Sequence, residues 1–357
     1  MRLDELGWDE QTAAAYAPWA AREGHVPARV AVEFNHLYRV YAEGSEVEAV
    51  VSGRLKHHAA SRGELPAVGD WVVVRKRPDE DRVAIVHVLP RRSRFSRKVA
   101  GAITDEQVVA ANVDVVFLVM ALDDDFSPRR LERYLLLARD SGASPVVLLT
   151  KPDLSTDVAA SVAEVAAVAG SLPVHVLNPR SGEGADALRH YIAYGRTCAL
   201  LGSSGVGKST IVNRLVGADV QKTRAVRHAD SKGRHTTTHR ELVPMPGGGL
   251  LLDTPGMREL QLWDVGDAVE QTFEDVERYA PDCRFRDCRH RDEPGCAVKA
   301  AVAAGELAGD RLASYLALQD ELAHLGRQQD QRALLEQKRR GRIGAKALRQ
   351  SLRAKGR

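Results

Sequence analysis

The pattern of apolar and polar positions changes character twice along the chain. Residues 1 to about 27 hold one short helical stretch, Glu10 to Ala21, and a link punctuated by proline and glycine. From Ala28 to Pro90 the apolar residues fall into short β-type runs: Arg29–Phe34, Leu37–Tyr41, Glu46–Val51, Trp71–Val74 and Arg82–Val88. Turn residues such as Glu43-Gly44 and Val68-Gly69-Asp70 separate them. Five short strands within about sixty residues predict a small closed barrel, of which the OB-fold is the commonest nucleic-acid-binding type.

Beyond Lys98 the pattern alternates between strands and helices. Strand Val113–Met120 leads to helix Pro128–Ser141, with Ser127 as its N-cap, Pro128 as its first residue, and Leu131, Leu135 and Ala138 on one face. Strand Pro145–Leu149, helix Asp157–Ala169, strand Val174–Leu177 and helix Ala185–Tyr194 then deliver the chain to the apolar run Cys198–Leu201. Such alternation predicts an α/β domain, a parallel sheet covered by helices with its ligand at the carboxyl ends of the strands. Helices over Ala268–Tyr279 and Glu306–Leu325 read as a small α-helical domain at the end.

Composition adds limits. A chain of 357 residues is long for one domain, and 44% hydrophobic with 28% charged content is ordinary for a globular protein. No run of eighteen apolar residues and no apolar signal core is present, so a cytoplasmic protein without membrane association is expected. The net charge of +3 leaves any nucleic-acid surface to local patches. Three candidates stand out: Arg54–His58 beside a barrel loop, the connector Arg91–Lys98, and a tail after Glu336 that has many lysines and arginines and no acidic side chain. A solvated charge run is the plain alternative for each.

The stretch Gly202-Ser203-Ser204-Gly205-Val206-Gly207-Lys208-Ser209-Thr210 follows an apolar strand and opens a helical pattern. That context turns G-x-x-x-x-G-K-S into a phosphate site: glycines aim backbone N–H groups at phosphate, Lys208 reaches the terminal phosphates, and the Ser209 hydroxyl ligates Mg²⁺. Before it lies Thr150-Lys151-Pro152-Asp153, similar to the N/T-K-x-D guanine motif. One carboxylate there can accept both N1–H and the 2-amino group, and adenine lacks that amino donor. After it come Gly233-Arg234-His235-Thr236-Thr237-Thr238 and then Asp253-Thr254-Pro255-Gly256. The latter is a D-x-P-G in which Asp253 holds the Mg²⁺ shell and the Gly256 N–H meets the γ-phosphate; Thr236 or Thr237 completes the metal's ligation. Base motif, P-loop, switch threonines, D-x-x-G is the order of a circularly permuted GTPase, a rearrangement that neighbouring termini permit.

Cys283-x₄-Cys288-x-His290-x₅-Cys296 supplies three thiols and one imidazole within fourteen residues. That donor set fits a closed tetrahedral structural Zn²⁺ site. The polar neighbours Arg284, Arg286, Asp287, Arg289, Arg291 and Asp292 do not suit a packed core of reduced cysteines. Cys198, on the P-loop strand, reads as a core residue.

Barrel, arginine-rich connector, the segment Gln107–Asp114, permuted motifs and cysteine cluster together resemble the RsgA family, also called YjeQ or EngC: bacterial GTPases of small-ribosomal-subunit maturation. The resemblance implies an OB-type barrel over 28–92 behind an extension at 1–27, a permuted GTPase domain over 93–262, a zinc domain over 263–330 and a basic tail over 331–357. It implies GTP and GDP as ligands, the small subunit and its rRNA as partners, and a monomer. It also implies a catalytic part for His235, because Met257 stands where Ras-like enzymes carry a water-orienting glutamine. One departure is visible. The second base-binding segment, Ser-Ala-Lys in most GTPases, reads Asn178-Pro179-Arg180, and proline has no N–H to give the base, so either Arg180 or a neighbour substitutes or guanine is held less firmly. Other readings are a permuted GTPase of the large subunit, a P-loop ATPase or kinase on a small molecule, and a passive RNA-binding protein.

Overall fold

Asp9 starts the first helix, α1 (Glu10–Ala20), by accepting the backbone N–H of Thr12 with its carboxylate. The computed structural model describes residues 1–34, 37–76, 82–99, 105–216, 240–253, 266–323 and 327. The chain divides into two compact units: residues 1–97 with 106–268, and 98–105 with 269–357.

In the first unit, strands β1 (His25–Phe34), β2 (Leu37–Ala42), β3 (Ser45–Val51), β4 (Trp71–Arg75) and β5 (Val83–Val88) pair in the cyclic order β1-β2-β3-β5-β4-β1. This is a closed five-stranded barrel, and β3–β5 is its parallel pair. Alternate residues turn inward, as strand geometry requires: Ala28 and Val30, Tyr38 and Val40, Val72 and Val74, Val83 and Ile85 fill the interior. The basic stretch Arg54–His58 lies in the β3–β4 connection of the barrel. It is part of a short helix, α2 (Gly53–His58), capped by the Ser52 hydroxyl, with its side chains half or fully exposed.

A buried guanidinium joins three stretches of this unit. Arg29, on β1, is fully buried and donates to the carbonyls of Leu6, Gly69 (3.2 Å) and Asn112 (3.0 Å). Burial pushes its pKa down to about 10, and the charge of Asp114 is the largest influence opposing that. The side chain therefore still carries its charge near neutrality. Asn112, in a left-handed backbone conformation (φ 54°), adds a bond from its amide to the Gly69 carbonyl at 3.1 Å.

In the connector, Arg91 and Arg92 are engaged by carboxylates of the same unit, while Arg92 and Arg94 stay exposed to solvent. Arg91 grips the buried Asp70 with two parallel bonds of 2.8 and 2.7 Å and also donates to the Leu65 carbonyl. Arg92 pairs with Asp9 at 2.8 Å. From Arg94 the chain forms strand β6 (Arg94–Val99), which pairs with β7 (Asp105–Ala111). Arg94 and Arg97 face Glu106 and Gln107 across that ribbon.

The α/β part is a sheet in the order β10-β9-β8-β11-β13-β12, built of β8 (Val115–Ala121), β9 (Ser144–Thr150), β10 (Val174–Leu177), β11 (Thr197–Leu201), β12 (Arg240–Pro244) and β13 (Leu250–Asp253). All pairs are parallel except β12–β13. β8 and β11 are buried along their whole length, as a helix-covered parallel sheet demands. Helix α3 (Pro128–Ser141) has the predicted Ser127 cap and ends at Gly142 in the left-handed region; α4 (Val158–Ala169) is capped by Asp157. The edge strand β12 also pairs antiparallel with β1 of the barrel, Val32 opposite Glu241 and Glu33 opposite Arg240.

Two helical expectations change. Ala185–Tyr194 is a 3₁₀ turn over Ala185–Leu188 followed by loop. Leu188, Tyr191 and Ile192 reach the core at helical spacing, but most bonds run from residue i to i+3 because the chain must turn back at Gly195 to enter β11. Ala268–Tyr279 is broken into α6 (Gly266–Thr272) and α7 (Glu274–Glu277). Phe273 leaves helical geometry at the break, and its buried ring packs edge-on to Tyr315 and beneath Arg311. Helices α8 (Ala297–Ala303) and α9 (309–323) complete the described part of the second unit, where Arg311 grips Asp275 at 2.8 and 2.9 Å. Among the described residues, no helix is long and apolar enough to cross a membrane.

The Arg91–Asp70 pair gives a test. Arg91→Ala leaves a fully buried carboxylate without its cation, which is expected to cost about 3–5 kcal/mol. Denaturant unfolding followed through Trp71 fluorescence should show that loss, whereas Arg54→Ala on the exposed face of α2 should be nearly silent.

Candidate nucleotide site and metal centre

The carboxyl ends of four adjacent parallel strands converge on the P-loop. Gly202 leaves β11 so close to β8 that a Cβ there would collide with the Val119 carbonyl oxygen. Gly207 has φ 100°, a conformation that L side chains rarely adopt. Helix α5 (208–216) begins at Lys208, so its free N–H groups face the loop. The Lys208 ammonium donates to the carbonyls of Gly202 (2.7 Å) and Ser203, which places the charge inside the loop's own curve. Ser204 and Gly205 form the exposed turn, Val206 is buried in the core, and Ser209 and Thr210 lie on the first turn of α5.

Thr150 ends β9 fully buried, and its hydroxyl donates to the Val206 carbonyl at 2.6 Å. The residue standing where an asparagine is usual thus ties the base segment directly to the P-loop. Lys151 takes a left-handed conformation (φ 55°) and pairs with Asp123 after β8 at 2.7 Å. That bond holds the Asp123 carboxyl below its usual range, against the smaller opposing effect of burial. Pro152 and Asp153 form a 3₁₀ turn, and Asp153 Oδ1 accepts from the Asn178 amide at 3.0 Å. On the other flank, Arg130 donates to the Ser203 hydroxyl at 2.9 Å and is paired with Asp125, while Tyr134 lies 3.2 Å from the same hydroxyl.

The four residues Cys283, Cys288, His290 and Cys296 bring one donor atom each to within 4.8 Å of one another. Cys283 Sγ lies 3.9 Å from Cys296 Sγ and 3.6 Å from His290 Nδ1, and His290 Nδ1 lies 3.4 Å from Cys296 Sγ. A tetrahedral ion with bonds of ~2.3 Å to sulfur and ~2.0 Å to nitrogen requires separations of about 3.5–3.8 Å, so the donors are already spaced for one. Burial opposes ionisation of Cys283, yet the backbone N–H groups of Val298 and Ala297, at the start of α8, hold its pKa below the usual thiol value. His290 reaches inward from a left-handed backbone position (φ 59°). These residues can hold a metal ion with no position left open.

An RsgA GTPase family model matches residues 88–263. A small ribosomal subunit biogenesis GTPase RsgA from Opitutus terrae is 50% identical over 339 residues, 92% of each chain. The chain belongs to the RsgA GTPase family. The crystal structure of YjeQ from Thermotoga maritima is similar with a TM-score of 0.62 and 27% identity over 84% of this chain and 99% of that one. A structure titled YloQ, a circularly permuted GTPase, shares the fold at a TM-score of 0.58 and 24% identity, over 85% of this chain and 97% of that one.

For an RsgA GTPase the permuted order has a plain structural meaning. The base segment on β9 and the P-loop on β11 flank β8, so both motifs sit at the carboxyl ends of one parallel sheet whatever their order along the chain. Asp253 closes β13, next to the P-loop strand. His235, Thr236, Thr237, Gly256 and Met257 lie outside the described residues, as does the tail after residue 330. Sequence reasoning missed Asp123 and Arg130, which position Lys151 and Ser203, and named Asn178 only within the second base-binding segment, without its bond to Asp153. The signal for the first two was available in Asp123-Asp124-Asp125, three acids directly after an apolar strand at a ligand-bearing end.

The Thr150 hydroxyl supplies a test of this arrangement. Thr150→Val keeps the shape and removes the bond to Val206, and nucleotide affinity is expected to fall about fivefold, roughly 1 kcal/mol for one hydrogen bond. Fluorescent-nucleotide titration measures it.

Proposed function

We propose that the chain is a GTPase that binds the small ribosomal subunit and couples GTP hydrolysis to a late step of its maturation. The observation that carries this reading is the meeting of Thr150–Asp153 and the P-loop across β8, tied by the Thr150–Val206 bond, in a chain with relatives named for small-subunit biogenesis. Asp153 reads guanine. Gly202, Ser203, Ser204, Gly205, Val206, Gly207 and Thr210 shape the phosphate cradle, and Lys208 neutralises charge that builds on the transferred group. Ser209, Asp253 and Thr236 or Thr237 are hard oxygen donors suited to Mg²⁺, which when bound with GTP supplies charge neutralisation on the phosphates. The Gly256 N–H meets the γ-phosphate. Because Met257 cannot orient water, His235 takes that part, and hydrolysis is slow until the subunit binds.

Zn²⁺ at Cys283, Cys288, His290 and Cys296 is structural in this reading: three thiolates and an imidazole, spaced for tetrahedral ligation, leave no place for water. The domains follow the boundaries 1–27, 28–92, 93–262, 263–330 and 331–357. RNA attraction falls to the barrel with Arg54–His58 and to the tail. The connector contributes little, since Arg91 and Arg92 are held by Asp70 and Asp9. The protein acts as a cytoplasmic monomer.

GTP hydrolysis measured alone and with purified small or large subunits tests the assignment. Strong stimulation by small subunits alone is expected, lowered in His235→Ala with nucleotide affinity spared. Stimulation by large subunits, or none by either, would refute it. Metal analysis should find one zinc per chain, and Cys288→Ala should lose it and melt the 269–323 region while GTP binding persists. A folded, metal-free wild-type protein would remove the zinc assignment.

A further inference from the structure

The loop after β10 is closed upon itself. The Asn178 N–H donates to the Glu183 carbonyl (2.9 Å), and the Gly182 N–H returns to the Asn178 carbonyl (2.8 Å). The Arg180 and Ser181 N–H groups both donate to the Asn178 side-chain oxygen, at 3.1 and 3.4 Å. The Glu183 N–H donates to the Ser181 hydroxyl at 3.3 Å. Pro179 has no N–H. Every backbone donor from residue 178 to 183 is therefore absent or taken. The loop is also pinned from outside. Arg214 of α5 donates to the Ser181 carbonyl at 2.9 Å, and buried Pro179 lies against the P-loop, its Cγ 3.6 Å from where a Gly207 Cβ would sit.

The other end of the Asn178 amide faces Asp153, donating to Oδ1 at 3.0 Å. A carboxylate oxygen has two lone pairs, so this bond orients Asp153 and leaves capacity for a base. Resting on the reading of Asp153 as the guanine-binding carboxylate, we propose that this site recognises guanine through its N1–H and 2-amino edge, without the backbone contact to the 6-oxygen. Asn178 is the positioning residue for Asp153, and no loop N–H reaches the 6-oxygen. The site rejects purines that lack the 2-amino group and accepts replacement of the 6-oxygen.

Competition binding with GTP, ATP, ITP and 6-thio-GTP tests this on the full-length protein. 6-thio-GTP keeps N1–H and the 2-amino group while making position 6 a poor acceptor, and it should bind within about threefold of GTP. ITP, which lacks the 2-amino group, should bind roughly tenfold or more weakly. A loss of about tenfold for 6-thio-GTP, with GTP still preferred over ATP, would mean that a donor does reach position 6 and would overturn the proposal alone. Equal binding of ATP and GTP would overturn the guanine reading beneath it, and this proposal with it. Asn178→Asp keeps the acceptor that caps Arg180 and Ser181 but turns the donor toward Asp153 into a second carboxylate. The GTP-to-ITP affinity ratio should fall toward one. General damage to the site would weaken both nucleotides and leave the ratio unchanged, and an unchanged ratio removes Asn178 from base selection.

Discussion

A fully buried arginine is a demanding thing to keep in a small protein, and the first unit is arranged so that Arg29 can be kept. Taking a guanidinium out of water costs several kcal/mol unless its donors are matched. Here they are matched by three carbonyls from three separate stretches, Leu6, Gly69 and Asn112. Each stretch loses its partner if any one of them moves. The N-terminal segment, the β3–β4 connection of the barrel and the entry to β8 are consequently set in place together. Asp70, one residue from Gly69, repeats the device with Arg91. The joint between barrel and nucleotide-binding sheet thus carries buried polar bonds that are specific in direction, beside the small apolar cluster of Ala67, Val108 and Ala111.

Much of this architecture was legible in the residue pattern because the physics behind it is local. Ser127-Pro128 fixes the start of α3, Gly202 to Ser209 fixes the P-loop, and five alternating runs fix the barrel. The failures share a different cause. Nothing beside Arg91 in the chain tells that Asp70, 21 residues earlier, grips its guanidinium. Phe273 looks like one more helical position until Tyr315 and Arg311 claim its ring. Asn178 gives no sign in the sequence that its amide will meet Asp153, 25 residues earlier. Distant partners override local preference, and a single sequence does not name them.

The base segment illustrates how a motif can change its letters and retain its mechanics. Thr150 uses one hydroxyl to hold the P-loop carbonyl of Val206, and the Lys151 charge is anchored by Asp123. Asn178 acts on two groups at once, orienting a carboxylate with its nitrogen and closing a turn with its oxygen. Rigidity of this kind is built from the chain's own bonds. It lowers the ordering cost of binding and narrows what is bound.

The pairing of β12 with β1 carries a further consequence. β12 is the outermost strand of the nucleotide-binding sheet, and its free side would otherwise offer unpaired N–H and C=O groups to any passing strand. The barrel covers that edge. Removing residues 25–88 would then strip a candidate RNA surface and bare a sticky sheet margin in the same cut. A barrel-deleted protein that precipitates or self-associates would be reporting its lost cover, and only point changes on the barrel's outer face can separate recognition from solubility.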